Sequence, residues 1–176
     1  MSVEELIASV RALAEEGVLA AERERVDALV AAGADDPYAL IELAKAVFDP
    51  APSQAIGLAQ RAHALAPDDE GIACELVFML RRAGHHAESV ATGAAYLSRA
   101  EPTPAALDQF EASLALASAV PAETLEPLLR RPAPRLLGGG DAGADAAFDA
   151  LAGRLLEAAP RAGDERIARL VVELLA

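Results

Sequence analysis

The stretch DPYALIELAKAVFDPAPSQAIGLAQRAHALAPDD, residues 36–69, decides the fold that this sequence predicts. Asp36 before Pro37 predicts a helix start, because aspartate caps free N–H groups and proline lacks an N–H that would have no partner there. Apolar side chains then recur at helical spacing until prolines interrupt them at residues 49–52. A second apolar stripe follows and closes at Pro67. The stretch therefore predicts two helices joined by a short turn.

Similar units lie on both sides of this stretch at a nearly constant spacing. Helix pairs are predicted to start near residues 2, 36, 69, 104 and 145, at intervals of 34, 33, 35 and 41 residues. A repeat of this length is typical of helical arrays, because one helix pair cannot bury its apolar face alone and neighbouring pairs stack to form a continuous core. We expect an all-α protein, an α-solenoid of antiparallel helix pairs with about 8–10 helices.

The composition agrees with a helical protein. Alanine accounts for 44 of the 176 residues, and only six residues are aromatic. Alanine is the best helix former because it loses no side-chain entropy in a helix. Runs of β-branched and aromatic residues, which are typical of strands, are nearly absent.

The apolar spacing also predicts which side of each helix is buried. Gly84 is predicted to end the helix that starts near residue 69. The predicted buried stripes are Leu40, Leu43, Ala44 and Val47; Ala55, Ile56, Ala59, Ala62 and His63; Ala73, Leu76, Val77 and Leu80; Ala87, Val90, Ala91, Ala94 and Leu97; and Leu107, Phe110 and Leu114.

Residues 36–102 resemble the tetratricopeptide repeat family. Small residues stand where that family packs its helices closely, and a proline closes the unit: Ala55, Ala59, Ala62 and Pro67. Gly84 and the HHAES that follows it resemble the turn between the family's two helices, whereas the usual Trp, Gly and Tyr of the first helix are missing. The resemblance implies an array whose first helices line a concave groove that binds a protein or peptide.

Three segments make up the predicted domain organisation. Residues 1–131 form the repeat array, and residues 132–144, PAPRLLGGGDAGA, form a Gly/Pro-rich loop. Residues 145–176 form a C-terminal helix pair, which we expect to pack on the array as a cap.

The charge of the chain excludes several classes of partner. The formal net charge is -13 and Lys45 is the only lysine, so neither nucleic acid nor an anionic membrane is an expected partner. No apolar run reaches the ~18 residues of a membrane-spanning helix. Cys74 is the only cysteine, which precludes an intrachain disulfide, and the first residues lack a basic signal-peptide start. We expect a cytoplasmic protein.

No residue pattern predicts catalysis, a cofactor or a metal. His85 and His86 are adjacent and point apart, whereas metal-binding histidines on a helix stand about one turn apart. Cys74 has no base near it in the sequence, so we interpret it as a structural apolar group. The glycines at residues 138–140 lack the strand and the Gly-Lys-Ser/Thr ending of a phosphate loop.

A binding surface is the stronger hypothesis. The first helices of the two central units offer several polar and aromatic residues opposite their buried stripes. This basic and aromatic set predicts a partner with acidic and apolar groups. Alternatively, the two phenylalanines pack between units, and the arginines favour a helix C-terminus. The groove candidates are Tyr38, Ile41, Lys45, Phe48, Phe78, Arg81 and Arg82, with Cys74 beside them.

The sequence therefore predicts a non-enzymatic adaptor or scaffold that binds a peptide or protein in a concave groove. One alternative is an accessory or N-terminal domain of a larger enzyme system. Another is self-assembly, with a homodimer formed through the C-terminal helices, because the last helix is rich in apolar residues. Those residues are Ile167, Leu170, Val171, Leu174 and Leu175.

Overall fold

A computed structural model describes residues 3–15, 27, 31, 35–100, 103–117, 120 and 123–125. The chain divides into two compact units, residues 1–79 and residues 80–176, called here the N-terminal and C-terminal units. In the described ranges every regular element is a helix, and none of these helices is long and apolar enough to cross a bilayer. The helices are α1 (Val3–Glu15), α2 (Pro37–Val47), α3 (Pro52–Leu65), α4 (Glu70–Arg82), α5 (His86–Leu97) and α6 (Pro104–Leu116).

Several predicted elements lie outside the described residues. The pair predicted to start near residue 2 includes a second helix, expected at about residues 19–32, of which only residues 27 and 31 are described. The Gly/Pro-rich loop at residues 132–144 and the helix pair at residues 145–176 lie entirely outside the described residues.

The predicted helix starts are confirmed by their caps. Asp36 Oδ1 accepts hydrogen bonds of 2.9 and 3.2 Å from two N–H groups in the first turn of α2. Asp69 Oδ1 accepts one of 2.9 Å at the start of α4, and Thr103 Oγ1 accepts one of 3.3 Å at the start of α6. Each cap satisfies an N–H that has no partner within the helix, which stabilises the helix by about 1 kcal/mol.

Gly84 ends α4, as the sequence predicts, and it does so in the left-handed conformation with a φ of +85°. The His85 N–H donates to the Leu80 carbonyl at 2.8 Å, and the Gly84 N–H donates to the Arg81 carbonyl at 3.1 Å. This pair of bonds satisfies two carbonyls at the helix end. Glycine suits the position because it has no Cβ to clash at positive φ.

The core of the N-terminal unit follows the predicted stripes. Helix α2 packs against both α1 and α3. The predicted stripe residues of α2 are all buried, and those of α3 are buried apart from His63, which is half-buried. The buried members are Leu40, Leu43, Ala44 and Val47 from α2, and Ala55, Ile56, Ala59 and Ala62 from α3.

The C-terminal unit differs from the prediction on one helix. Helix α5 packs against α6, and the predicted α6 stripe is buried. On α5, Val90, Ala94 and Leu97 are buried as predicted. Ala87 and Ala91 are exposed, however, and Ser89 and Gly93 are buried in their place. A Cβ at Gly93 would lie 2.7 Å from Phe110 Cδ2, so the missing side chain makes room for that ring. The inner face of α5 therefore combines apolar residues with two small ones, Ser89 and Gly93, and Gly93 allows close approach to α6.

Candidate functional site

Tyr38 is the most exposed large apolar side chain among the described residues, at 61%. It lies in the first turn of α2, which Asp36 caps. Its hydroxyl donates a hydrogen bond of 2.7 Å to Asp69 Oδ2, at the start of α4. This bond joins the N-terminal ends of two helices in the N-terminal unit, and it restrains a ring that remains largely exposed.

The charge states of the pair maintain this bond at neutral pH. The pKa of Tyr38 is raised, first by the hydrogen bond to Asp69 and then by the negative charge of that carboxylate. The pKa of Asp69 is lowered, first by the N–H of Ile72 and then by the Tyr38 hydroxyl. The phenol therefore stays a donor and the carboxylate stays an acceptor. Protonation of the carboxylate weakens the bond only as pH falls through its lowered pKa, and loss of the phenol proton weakens it only as pH rises through the raised pKa.

Lys45 lies two turns further along α2, and its charge is already paired with two carboxylates. Its ammonium is 2.7 Å from Glu42 Oε1 and 3.9 Å from Glu75 Oε1 of α4. The hydrogen bond to Glu42 is the main cause that raises the pKa of Lys45. The only lysine thus lies between two carboxylates, and the charge of Arg11 on α1 opposes their effect on its pKa. We call Tyr38, Glu42, Lys45, Glu75 and Phe78 the Tyr38 face.

Ile41 and Phe48 have the same helical spacing as Tyr38 and Lys45, but they do not lie open beside them. Their side chains are only 6% and 8% exposed. The physical reason is that α2 packs against helices on two sides, α1 and α3, so the covered sector is wider than the predicted stripe. These two predicted groove residues therefore belong to the core in this structure.

Phe78 and Cys74 lie on α4 and are both half-buried. Burial raises the pKa of the Cys74 thiol to about 11, with further contributions from the charges of Glu70 and Glu75. At neutral pH the thiol is protonated, and the protonated form is a poor nucleophile.

Cys74 is expected to react slowly with iodoacetamide at pH 8. Its thiolate fraction is about a hundredfold below that of an unperturbed thiol, whose pKa is 9.0. The greater nucleophilicity of a more basic thiolate recovers about tenfold, so the folded protein should react about tenfold more slowly than the urea-unfolded protein. Mass spectrometry of alkylation against time measures both rates. Equal rates in the two states would contradict the buried-thiol interpretation.

The two predicted arginines lie in the C-terminal unit and differ from each other. Arg81 donates from Nη1 to the Gln109 carbonyl at 3.0 Å and from Nη2 to Gln109 Oε1 at 2.9 Å. Burial lowers the pKa of Arg81, which still leaves it a cation because the pKa of a guanidinium group starts so high. Arg82 is exposed. Arg81 thus ties the end of α4 to α6 within this unit.

A series of polar contacts continues from Gln109 into the core of the C-terminal unit. Ser113 Oγ donates to the same Gln109 carbonyl at 2.9 Å and lies 2.8 Å from Ser89 Oγ. Either serine hydroxyl can donate across this short separation. Both serines are fully buried. The sequence does not predict the pairing of Ser89 with Ser113 or of Arg81 with Gln109, because spacings of 24 and 28 residues carry no local signal.

The histidines do not assemble a metal site in the described ranges. His85 Nδ1 lies 3.9 Å from a Glu88 carboxylate oxygen, at the start of α5. Among the residues that the structure describes, no three His, Cys, Asp or Glu side chains are grouped to hold a metal ion. His85 and Glu88 are both exposed and form a surface contact at the start of α5.

Comparison of the chain with protein-family models, with curated proteins and with solved structures found no match.

Proposed function

We propose that this protein is a non-enzymatic interaction module, a helical-repeat array of the tetratricopeptide type. It holds a protein or peptide partner against its first helices. The Tyr38 face of the N-terminal unit is the contact surface.

The spacing of the capped helices supports the repeat. The caps that open α2, α4 and α6 stand at residues 36, 69 and 103, at intervals of 33 and 34 residues. Between these starts lie α3 and α5, the second helix of each pair. Equal spacing of this kind is expected when each pair is one structural unit whose apolar face is covered by the next.

The single observation that carries the binding role is the open but fixed ring of Tyr38. An exposed aromatic side chain normally loses rotamer freedom when a partner covers it. The hydrogen bond to Asp69 restrains the ring beforehand, so less entropy remains to be lost on binding. Tyrosine is among the residues enriched at protein interfaces and at their energetic centres.

The bonds of Arg81 decide which variants can test this proposal. Arg81→Glu would break two hydrogen bonds to Gln109, so a loss of binding could come from damaged packing. Tyr38 is the better position because its ring lies open to solvent.

Site-specific photocrosslinking tests the surface. We expect p-benzoylphenylalanine at position 38 to form a discrete adduct with a partner in cells of the source organism. The same group at position 61 should not form that adduct, because Arg61 is an exposed residue of α3 in the same unit and serves as the matched control. Immunoblotting and mass spectrometry identify the adducts. An identical pattern from both positions, or no adduct from position 38, would reject this surface.

A further inference from the structure

We propose that the segment bound at the Tyr38 face is basic, rich in arginine or lysine. This inference rests on the proposed function and specifies the chemistry of the partner. It replaces the acidic partner that the sequence predicts with one of the opposite charge.

The Tyr38 face carries more negative than positive charge. Two cations lie at or beside it: Lys45, which is shared by the carboxylates of Glu42 and Glu75, and Arg11 of α1, whose charge acts on Lys45. Asp69 adds a further negative charge through its bond to the Tyr38 hydroxyl. The face is therefore net negative, and an acidic segment would meet repulsion there.

The residues around the Tyr38 ring are also negatively charged. Asp35 and Asp68 are exposed residues that immediately precede the two capping aspartates, Asp36 and Asp69. Carboxylates at helix starts are explained by capping and the helix dipole, so by themselves they indicate no ligand. The open ring is an independent feature that capping does not require.

The ring and the carboxylates together suit one class of side chain. A guanidinium or ammonium group is attracted to the face of a tyrosine ring, and guanidinium also pairs with carboxylates through two parallel N–H bonds. Tyr38 is 61% exposed while its hydroxyl is bonded to Asp69, so the ring keeps accessible surface on which a cation can stack. A basic segment thus satisfies the aromatic and the ionic parts of the face at once.

Two fluorescein-labelled synthetic peptides test the charge of the partner. Both are twelve residues long, one alternating alanine with arginine and the other alternating alanine with glutamate. Binding to the full chain is measured by fluorescence anisotropy at about 50 mM and about 300 mM salt, because exposed ionic attraction weakens with screening.

Matched variants separate binding at the face from the general attraction of an acidic chain. Tyr38→Ala removes the ring, and Tyr38→Phe keeps it but loses the bond to Asp69. Asp35→Asn with Asp68→Asn removes two charges beside the ring. Asp108→Asn with Glu123→Gln removes two exposed charges from the C-terminal unit and is the control. Circular dichroism checks that each variant keeps its helicity.

We expect the arginine peptide to bind more tightly than the glutamate peptide. Tyr38→Ala should weaken binding about twofold to fivefold, whereas Tyr38→Phe should retain most of it. The Asp35 and Asp68 variant should weaken binding about threefold to tenfold at low salt, and the control should change it less than twofold.

The remaining outcomes overturn the inference in different ways. Equal weakening by the two charge-removing variants would mean general attraction to an acidic protein. Tighter, Tyr38-dependent binding of the glutamate peptide would reject the basic partner but leave the proposed binding surface standing. No binding of either peptide would reject the basic partner, while the crosslinking at position 38 judges the surface separately.

Discussion

Phe110→Ala is expected to lower the free energy of unfolding by about 3–5 kcal/mol. The Phe110 side chain is 1% exposed and is one of the largest fully buried side chains among the described residues. Truncation removes its apolar contacts and leaves a cavity that the close-packed helices α5 and α6 fill only in part. Urea unfolding followed by circular dichroism, with amide hydrogen exchange of α5 and α6, measures the loss.

Leu116→Ala is the matched control for this prediction. Leu116 lies on the same helix, α6, and is 54% exposed. Its truncation should change the free energy of unfolding by less than about 0.5 kcal/mol, as is usual for surface positions. Similar losses from both variants would show that Phe110 is not the packed centre of this unit.

Gly57→Ala and Gly93→Ala are expected to change stability in opposite directions. Both glycines lie inside helices, where alanine is favoured by about 1 kcal/mol. An added Cβ at Gly57 meets nothing within 4 Å, so that variant should gain about 0.5–1 kcal/mol. At Gly93 the Cβ would lie 2.7 Å from the ring of Phe110, and the cost of about 1–3 kcal/mol for overpacking exceeds the helical gain.

Amide hydrogen exchange, measured separately for each helix, distinguishes the stabilisation by Gly57→Ala from the destabilisation by Gly93→Ala. Gly57→Ala should slow exchange in α3, and Gly93→Ala should accelerate it in α5 and α6. The Gly93 cost should shrink when Phe110 is replaced by leucine in the same chain, because the clash is with the ring. A stabilising Gly93→Ala would contradict the close approach of the two helices.

The helix starts and most of the core were predictable because their causes are local. An aspartate or threonine before a proline or an apolar stripe sets a helix start within a few residues of itself. Periodic apolar residues report the buried side of a helix whatever covers it. For that reason the stripes of α2, α4 and α6 agree with the structure, and that of α3 does so apart from His63.

The candidate site was predicted less well, because exposure depends on neighbours. Helical spacing placed Ile41 and Phe48 beside Tyr38, but the spacing does not show how wide a sector α1 and α3 cover. The pairing of Lys45 with Glu42 follows from their separation of three residues. Its approach to Glu75, thirty residues away, does not follow from any local rule.

The amino-acid sequence by itself determined that this chain forms helices at a spacing of about 34 residues, and where most of those in the described ranges begin and end. The tertiary structure decided that Ser89 and Gly93 are buried on α5 instead of Ala87 and Ala91, that Arg81 bonds to Gln109, and that Tyr38 bonds to Asp69. The physical reason is the separation along the chain over which each interaction acts. Caps and helical periodicity act within a few residues, whereas close packing and the pairing of distant polar groups depend on which helices meet.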